Sequence, residues 1–208
     1  MLLKRRPPGI ESTPVELKPG LEHLDQKAVA VLRWLNANKV DFVLVGPVAA
    51  AVRGDTDSPG PVAIVPAPYS RNYERLSSAL TASHARLRIP ERRPGSSEEL
   101  SAIKLTPEKL SRGSRWMLRC ESYDIDIEVR AARRAGAPPG APRYQELLYE
   151  AGRFELAAEL SVEAASTEDL ELYAHLDRTG SAPEIRITRM APAEHDAAEH
   201  DTAERGTA

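Results

Sequence analysis

From Leu21 onward the apolar residues recur at helical steps. Leu24, Ala28, Val31, Leu32 and Leu35 make one stripe, and Asn36, Asn38 and Lys39 mark where that helix ends. The pattern then changes period. "VDFVLVG" is a short apolar run rich in β-branched residues and stopped by Gly46, which predicts a buried strand. "PVAAAVRG" fits a two-turn helix with Pro47 in its first turn, where a missing N–H costs little. "DTDSPG" has turn chemistry, and "PVAIVPA" predicts a second buried strand with Pro61 at its start and Pro66 near its end.

Further along, Ser70 is placed to cap a helix with Tyr73, Leu76 and Leu80 on its inner face. "RIPERRPGSSEE" and "AARRAGAPPGAPR" are breaker-rich loops. Between them "RWMLRCESYDIDIEVR" predicts a long strand or hairpin arm. Its second half alternates strictly, with Asp124, Asp126 and Glu128 on one face and Ile125, Ile127 and Val129 on the other. Tyr144, Leu147, Leu148 and Ala151 form a short helix face. A Ser166/Asp169 pair at capping-box spacing opens a last helix carrying Leu170, Tyr173 and Ala174. "EIRIT" is a candidate final strand.

Three or four strands alternating with short helices, then a helical C-terminal part, predict an α+β domain with a small mixed β-sheet and flanking helices. Residues 1–20 are rich in proline and charge and read as an irregular arm. Residues 21–190 form the domain, and 191–208 are small, acidic and poor in apolar side chains, which predicts a disordered tail.

Composition narrows the function classes. The 208 residues are 41% hydrophobic and 28% charged, with net charge −3, so no global field draws the chain to nucleic acid or an anionic membrane. No window approaches the roughly 18 apolar residues of a membrane span, and "MLLKRRPPG" lacks the apolar run of a secretory leader. These features predict a soluble cytoplasmic protein with no membrane partner. The single cysteine, Cys120, excludes an internal disulfide and reads as a small core or edge residue.

The order "DFVLVGPVAAAVRG", "PVAIV", "YDIDIEV" and "SVEAASTEDLELY" resembles the nucleotidyltransferase superfamily of the DNA polymerase β type, above all its minimal and abortive-infection-type bacterial members. The resemblance spans roughly residues 22 to 176. It implies two Mg²⁺ ions held by carboxylates on adjacent strands, clamping a nucleoside triphosphate whose phosphates approach backbone N–H groups at a helix start. Matched residue by residue, Gly46 takes the place of the family's first glycine. Pro47 replaces the second Gly or Ser, removing an N–H donor. Gly54 matches the small residue closing the helix, and Asp57 stands where the family's loop carries arginine. The paired acids fall on Pro61 and Ala63, which offer no side-chain ligand, and the third acid falls on Asp126, with Asp124 as its neighbour. Two of three expected metal ligands are therefore replaced.

Other residues are weighed against that match. Asp55 and Asp57 form an Asp-x-Asp in a turn setting. Gly113–Ser114 ahead of Asp124 and Asp126 satisfies the family spacing without the strand–helix context. Asp124, Asp126 and Glu128 are expected on the solvated face of an antiparallel strand, where charge protects an edge, with a lone weak Mg²⁺ or Ca²⁺ site as the alternative. Arg86, Arg88, Arg92, Arg93, Arg130, Arg133 and Arg134 make a phosphate-facing patch or a solvated surface. His195 and His200 sit in the tail, and His84 and His175 show no partner in sequence.

The leading expectation is a catalytically degenerate nucleotidyltransferase-fold protein that binds a nucleotide or a protein. The alternatives are an active Mg²⁺-dependent enzyme transferring a nucleoside monophosphate to RNA, protein or a small molecule, or a partner in a toxin–antitoxin-type pair. No cofactor is certain; Mg²⁺ and a nucleoside triphosphate follow only if the chain is active.

Overall fold

Hydrophobic alternation along two short central strands decides where everything else packs. In the computed structural model, which describes residues 7–55, 60–88, 105–112, 115–128 and 142–179, strand β1 is Phe42–Val45 and β2 is Val62–Pro66. They pair antiparallel with Val45 opposite Ala63. Phe42, Leu44, Val62 and Ile64 face one apolar cluster, and Val43, Val45, Ala63 and Val65 face another. Both faces are covered, so every residue of these strands is buried, as the continuous apolar runs predict.

The first face is covered by α1 (Gln26–Ala37) and α3 (Ser70–Ala82), whose Trp34, Leu32, Leu35, Leu76 and Leu80 are fully buried. Asp25 caps α1 by accepting the Lys27 N–H at 3.0 Å. Ser70, expected as the cap of α3, is instead its first residue. Tyr69 occupies the cap position and makes no side-chain cap bond. The Asn72 side chain, in the first turn of α3, bonds strand ends instead of the helix. Its buried amide accepts from Asp41 N–H at 2.8 Å and donates to the carbonyls of Asp41 (2.8 Å) and Ala67 (3.0 Å), tying the start of β1 to the end of β2.

At the end of β1 comes α2 (Gly46–Val52), whose Val48, Ala49 and Val52 join the first cluster, and the second face carries α5 (Tyr144–Glu150) and α6 (Thr167–Thr179). Leu147 and Tyr173 are buried there, whereas Leu148, expected on the same inner face, is exposed. The Ser166/Asp169 pair does what its spacing predicts. The Ser166 hydroxyl donates to Asp169 Oδ2 at 2.9 Å and accepts the Asp169 N–H at 3.1 Å.

The sheet is larger than the expected three or four strands. It has seven among the described residues, in the order β3-β4-β5-β2-β1-β7-β6. The segment read as one strand or hairpin arm is a complete hairpin of β4 (Arg115–Cys120) and β5 (Tyr123–Glu128), with Glu121 left-handed at φ 56° in the two-residue turn. A short β3 (Arg86–Leu87) flanks β4, and a single turn of helix, α4 (Pro107–Leu110), buries Leu110. A second hairpin, β6 (Gly152–Ala157) and β7 (Leu160–Ala164), was not expected at all. β7 runs parallel to β1, and β5 runs parallel to β2. The mixed sheet with helices on both faces is an α+β architecture.

Residues 7–20 contain no helix or strand but are tied to the body. The Trp34 indole donates to the Pro8 carbonyl at 3.1 Å, and Lys18 N–H donates to Leu156 O at 2.8 Å. The Gln26 amide pairs with both Val15 N–H and Val15 O. "EIRIT" and residues 191–208 lie outside the described residues. No helix among the described residues is long and apolar enough to cross a membrane.

Candidate functional site

Where β1 runs into α2, the chain turns at Gly46 with φ 67°, a conformation that suits glycine. A Cβ built on Gly46 would lie 3.1 Å from the Ala63 Cβ, so the turn is pressed against β2. Ala63 in turn is the ladder partner of Asp126 on β5. Gly46, Ala63 and Asp126 thus line one cleft of about 730 Å³ between the sheet and α6. The side chains expected at the acid positions, Pro61 and Ala63, both line it. Pro47 follows at the second residue of α2 and also lines the cleft. Gly60 packs against its ring so closely that a Cβ there would sit 2.6 Å from Pro47 Cγ. Gly54, with φ 105°, serves the turn that leaves α2.

The acidic row differs from its expected setting. Asp124, Asp126 and Glu128 are not on the solvated face of an edge strand. β5 is interior, between β4 and β2, and Asp126 and Glu128 are only 2% and 3% exposed. Charges buried to that depth require partners, and the hairpin supplies them. Arg115, Met117 and Arg119 on β4 stand opposite Glu128, Asp126 and Asp124. Arg119 grips Asp124 with a fork of 2.7 and 3.0 Å. Arg115 reaches Asp126 at 3.3 Å and Glu128 at 3.5 Å. From the end of β3, Arg88 crosses over Met117 to bridge Asp126 at 2.5 Å and Asp124 at 3.5 Å. Its own N–H donates to the Met117 carbonyl at 2.9 Å, which fixes that crossing. The Arg119 hydrogen bonds, followed by the charge of Arg88, hold the Asp124 carboxyl below the usual carboxylate range.

Mg²⁺ requires several oxygen ligands converging on one point. Here Pro61 and Ala63 contribute none, Asp126 is engaged by two guanidinium groups, and Asp124 lines an adjoining cavity with Arg119. Among the described residues no group of three or more His, Cys, Asp or Glu side chains is placed to hold a metal ion. The side chains present therefore do not fit a two-metal clamp. Asp55 does line the cleft, and Asp57 lies outside the described residues.

Of the arginines considered in sequence, Arg88 is in the site and Arg86 is exposed on β3, while Arg92, Arg93, Arg130, Arg133 and Arg134 lie outside the described residues, as do His195, His200 and Gly113–Ser114. His84 is exposed in a left-handed turn (φ 51°). Cys120 is fully buried, and burial pushes its thiol up to about 12, so it is a core residue. Sequence reasoning missed Arg115, Met117 and the cleft wall from α6, namely Leu170, Glu171 and Tyr173. The signal for Arg115 was present: "RWMLR" alternates in phase with "DIDIE" across a tight turn.

Arg53, which also lines the cleft, has a structural task. Its Nε donates to Ala165 O at 2.6 Å and its Nη2 to Ala164 O at 3.1 Å, with the guanidinium 5.2 Å from the Phe154 ring centroid. It binds α2 to the end of β7. No protein-family model matches the chain, and no curated protein matches it in sequence.

Proposed function

We propose that this chain is a nucleotidyltransferase-fold protein that does not transfer nucleotides and works as a binding module for a nucleotide-related ligand or a protein partner. The observation that carries the reading is the pairing of Ala63 with Asp126 beside the Gly46 turn, with Asp126 neutralised by Arg88 and Arg115. A metal-dependent transfer needs several carboxylates at that point; Pro61 and Ala63 supply none, and Asp126 is engaged by arginines. The partner side of the reading is supported by Leu148 and Tyr149 on α5, 40% and 86% exposed.

The test is incubation of the purified chain with each labelled nucleoside triphosphate, Mg²⁺ or Mn²⁺, and RNA, protein or small-molecule acceptors. The expected result is no labelled product. Transfer that disappears in Asp126→Ala would overturn the reading. It would favour an enzyme working through Asp126 and Asp55, which line the same cleft.

A further inference from the structure

We propose that the open edge of the sheet, β6, pairs antiparallel with β6 of a second copy of this chain, in the register that sets Arg153 of each copy against Glu155 of the other. This edge lies at the end of the strand order away from the β4–β5 hairpin, so the contact is independent of what occupies the cleft.

The backbone directions follow from the ladders. Ala165 N–H donates to Leu44 O at 2.9 Å, so Glu163 and Ala165 turn their backbone groups towards β1, and Val162 and Ala164 turn theirs towards β6. Gly152 and Phe154, opposite Ala164 and Val162, are therefore the residues that bond to β7. The N–H and C=O groups of Arg153 and Glu155 point off the sheet. Among the described residues the N-terminal arm closes this edge only beyond them, where Lys18 N–H donates to Leu156 O at 2.8 Å. The Arg153 and Glu155 side chains are 70% and 66% exposed.

Charge selects the partner. A row of one sign protects an edge by repulsion, but here the sign alternates from Arg153 to Glu155. An antiparallel strand reads the sequence in reverse. A second copy centred on Phe154 therefore sets Arg153 opposite Glu155 on both sides of the centre, and the two Phe154 side chains face each other on the other side of the sheet. The neighbouring hydrogen-bonded registers put Arg153 opposite Arg153 or Glu155 opposite Glu155, and like charges oppose both.

The present partners of these side chains are surface contacts. Arg153 has Glu163 at 3.9 Å and Ser161 Oγ at 3.3 Å, and Glu155 has Lys18. Exposed pairs of this kind contribute little and exchange readily. Leu148 and Tyr149, 40% and 86% exposed at the end of α5, lie just before Gly152 and add apolar surface beside the edge. The β-bulge between Glu155 and Ala157 and the arm at Leu156 limit the paired length, so the dimer is weak and reversible.

The experiment is sedimentation equilibrium of the full chain from about micromolar to about millimolar concentration, where a monomer–dimer equilibrium is expected. Arg153→Glu and Glu155→Arg each place like charges across the contact and are expected to weaken the dimer about tenfold. The variant carrying both reversals is expected to return to within about threefold of the parent. Lys18→Ala removes the ammonium that contends for Glu155 and is expected to tighten the dimer about twofold. A monomer throughout the range would overturn the proposal. So would a dimer that either single reversal leaves unchanged, that the double reversal fails to restore, or that Lys18→Ala weakens.

Discussion

Ala63 and Asp126 are ladder partners across the parallel β2–β5 pair, on the sheet face that opens into the cleft. A methyl group thus sits beside a carboxylate whose charge is balanced from the opposite side, by Arg88 and Arg115. Ala63→Asp places a second carboxylate beside Asp126, where it competes for the Arg88 and Arg115 guanidinium groups. The expected loss is about 3 kcal/mol of stability by urea denaturation in EDTA. Millimolar Mg²⁺ is expected not to restore it, since Pro61 still offers no ligand. Recovery of most of the loss by Mg²⁺ would show that this end of the sheet remains one substitution from a metal site.

The bridge itself is open to a double-mutant cycle. Removing the Asp126 carboxylate leaves Arg88, which is one-quarter exposed, with Asp124, and Arg115, which is less than half exposed, with Glu128. Asp126→Asn should cost about 3 kcal/mol, at the lower end for a buried pair because both arginines keep some water. Arg88→Met should cost less alone, and the double variant should show about 1 kcal/mol or more of coupling. Additive losses would mean that Arg88 and Asp126 are neighbours without energetic contact.

The sequence-based expectations succeeded where one pattern had one structural meaning. The apolar runs of β1 and β2 have no polar face to expose, so they have to lie in the middle of a sheet, and Ser166 with Asp169 announces a helix start by its own local chemistry. They failed on β6–β7, because "GRFELAAELSVEA" is built from Ala, Glu and Leu, which favour helix in isolation. Its turn, Ala158–Glu159, has no Gly or Asn to mark it, and Glu159 adopts φ 63° without that signal. The depth of Asp126 was hidden for a different reason. An Asp-Ile-Asp-Ile alternation reads the same on an edge or an interior strand; only the pairing of β5 with β2, some sixty residues earlier, and with β4 removes it from water. The counter-charges followed the same rule. Arg115 was legible once the hairpin register was known, whereas Arg88 reaches the site through β3, a two-residue strand that no period reveals.

Arg53 lines the cleft, yet its substitution is expected to act on stability. Nε and Nη2 address two successive carbonyls, a fork that lysine cannot reproduce. Arg53→Lys should lose about 1–2 kcal/mol, with a smaller share traceable to Phe154, roughly 0.5–1 kcal/mol, when Phe154→Leu is made alongside. Ligand affinity measured well below the unfolding midpoint should stay within about threefold of the parent. A loss of affinity with unchanged stability would instead place the guanidinium against the ligand.

Two aspartates should bend the stability–pH curve in opposite directions. Asp124 is held low in the folded state, first by the Arg119 hydrogen bonds and then by Arg88. Its contribution is complete above the ordinary carboxylate value of 3.8 and is lost as pH falls through the depressed folded value. Asp169 is raised, chiefly by burial, against the lowering effect of its bond from Ser166. The folded state therefore holds its proton more firmly than the unfolded chain. That contribution is complete below 3.8 and fades as pH rises through the raised folded value. Asp169→Asn keeps an oxygen for the Ser166 hydroxyl and loses the titration, so it should flatten the decline on the neutral side of 3.8 and leave the acid limb alone. Arg119→Met should do the reverse, weakening the acid limb while the neutral side keeps its slope. Urea midpoints measured across the acid-to-neutral range for the three proteins decide the matter. If both variants altered the same limb, one of the two assignments of burial and pairing would be wrong, because Asp124 and Asp169 sit on separate elements and share no partner that could couple them.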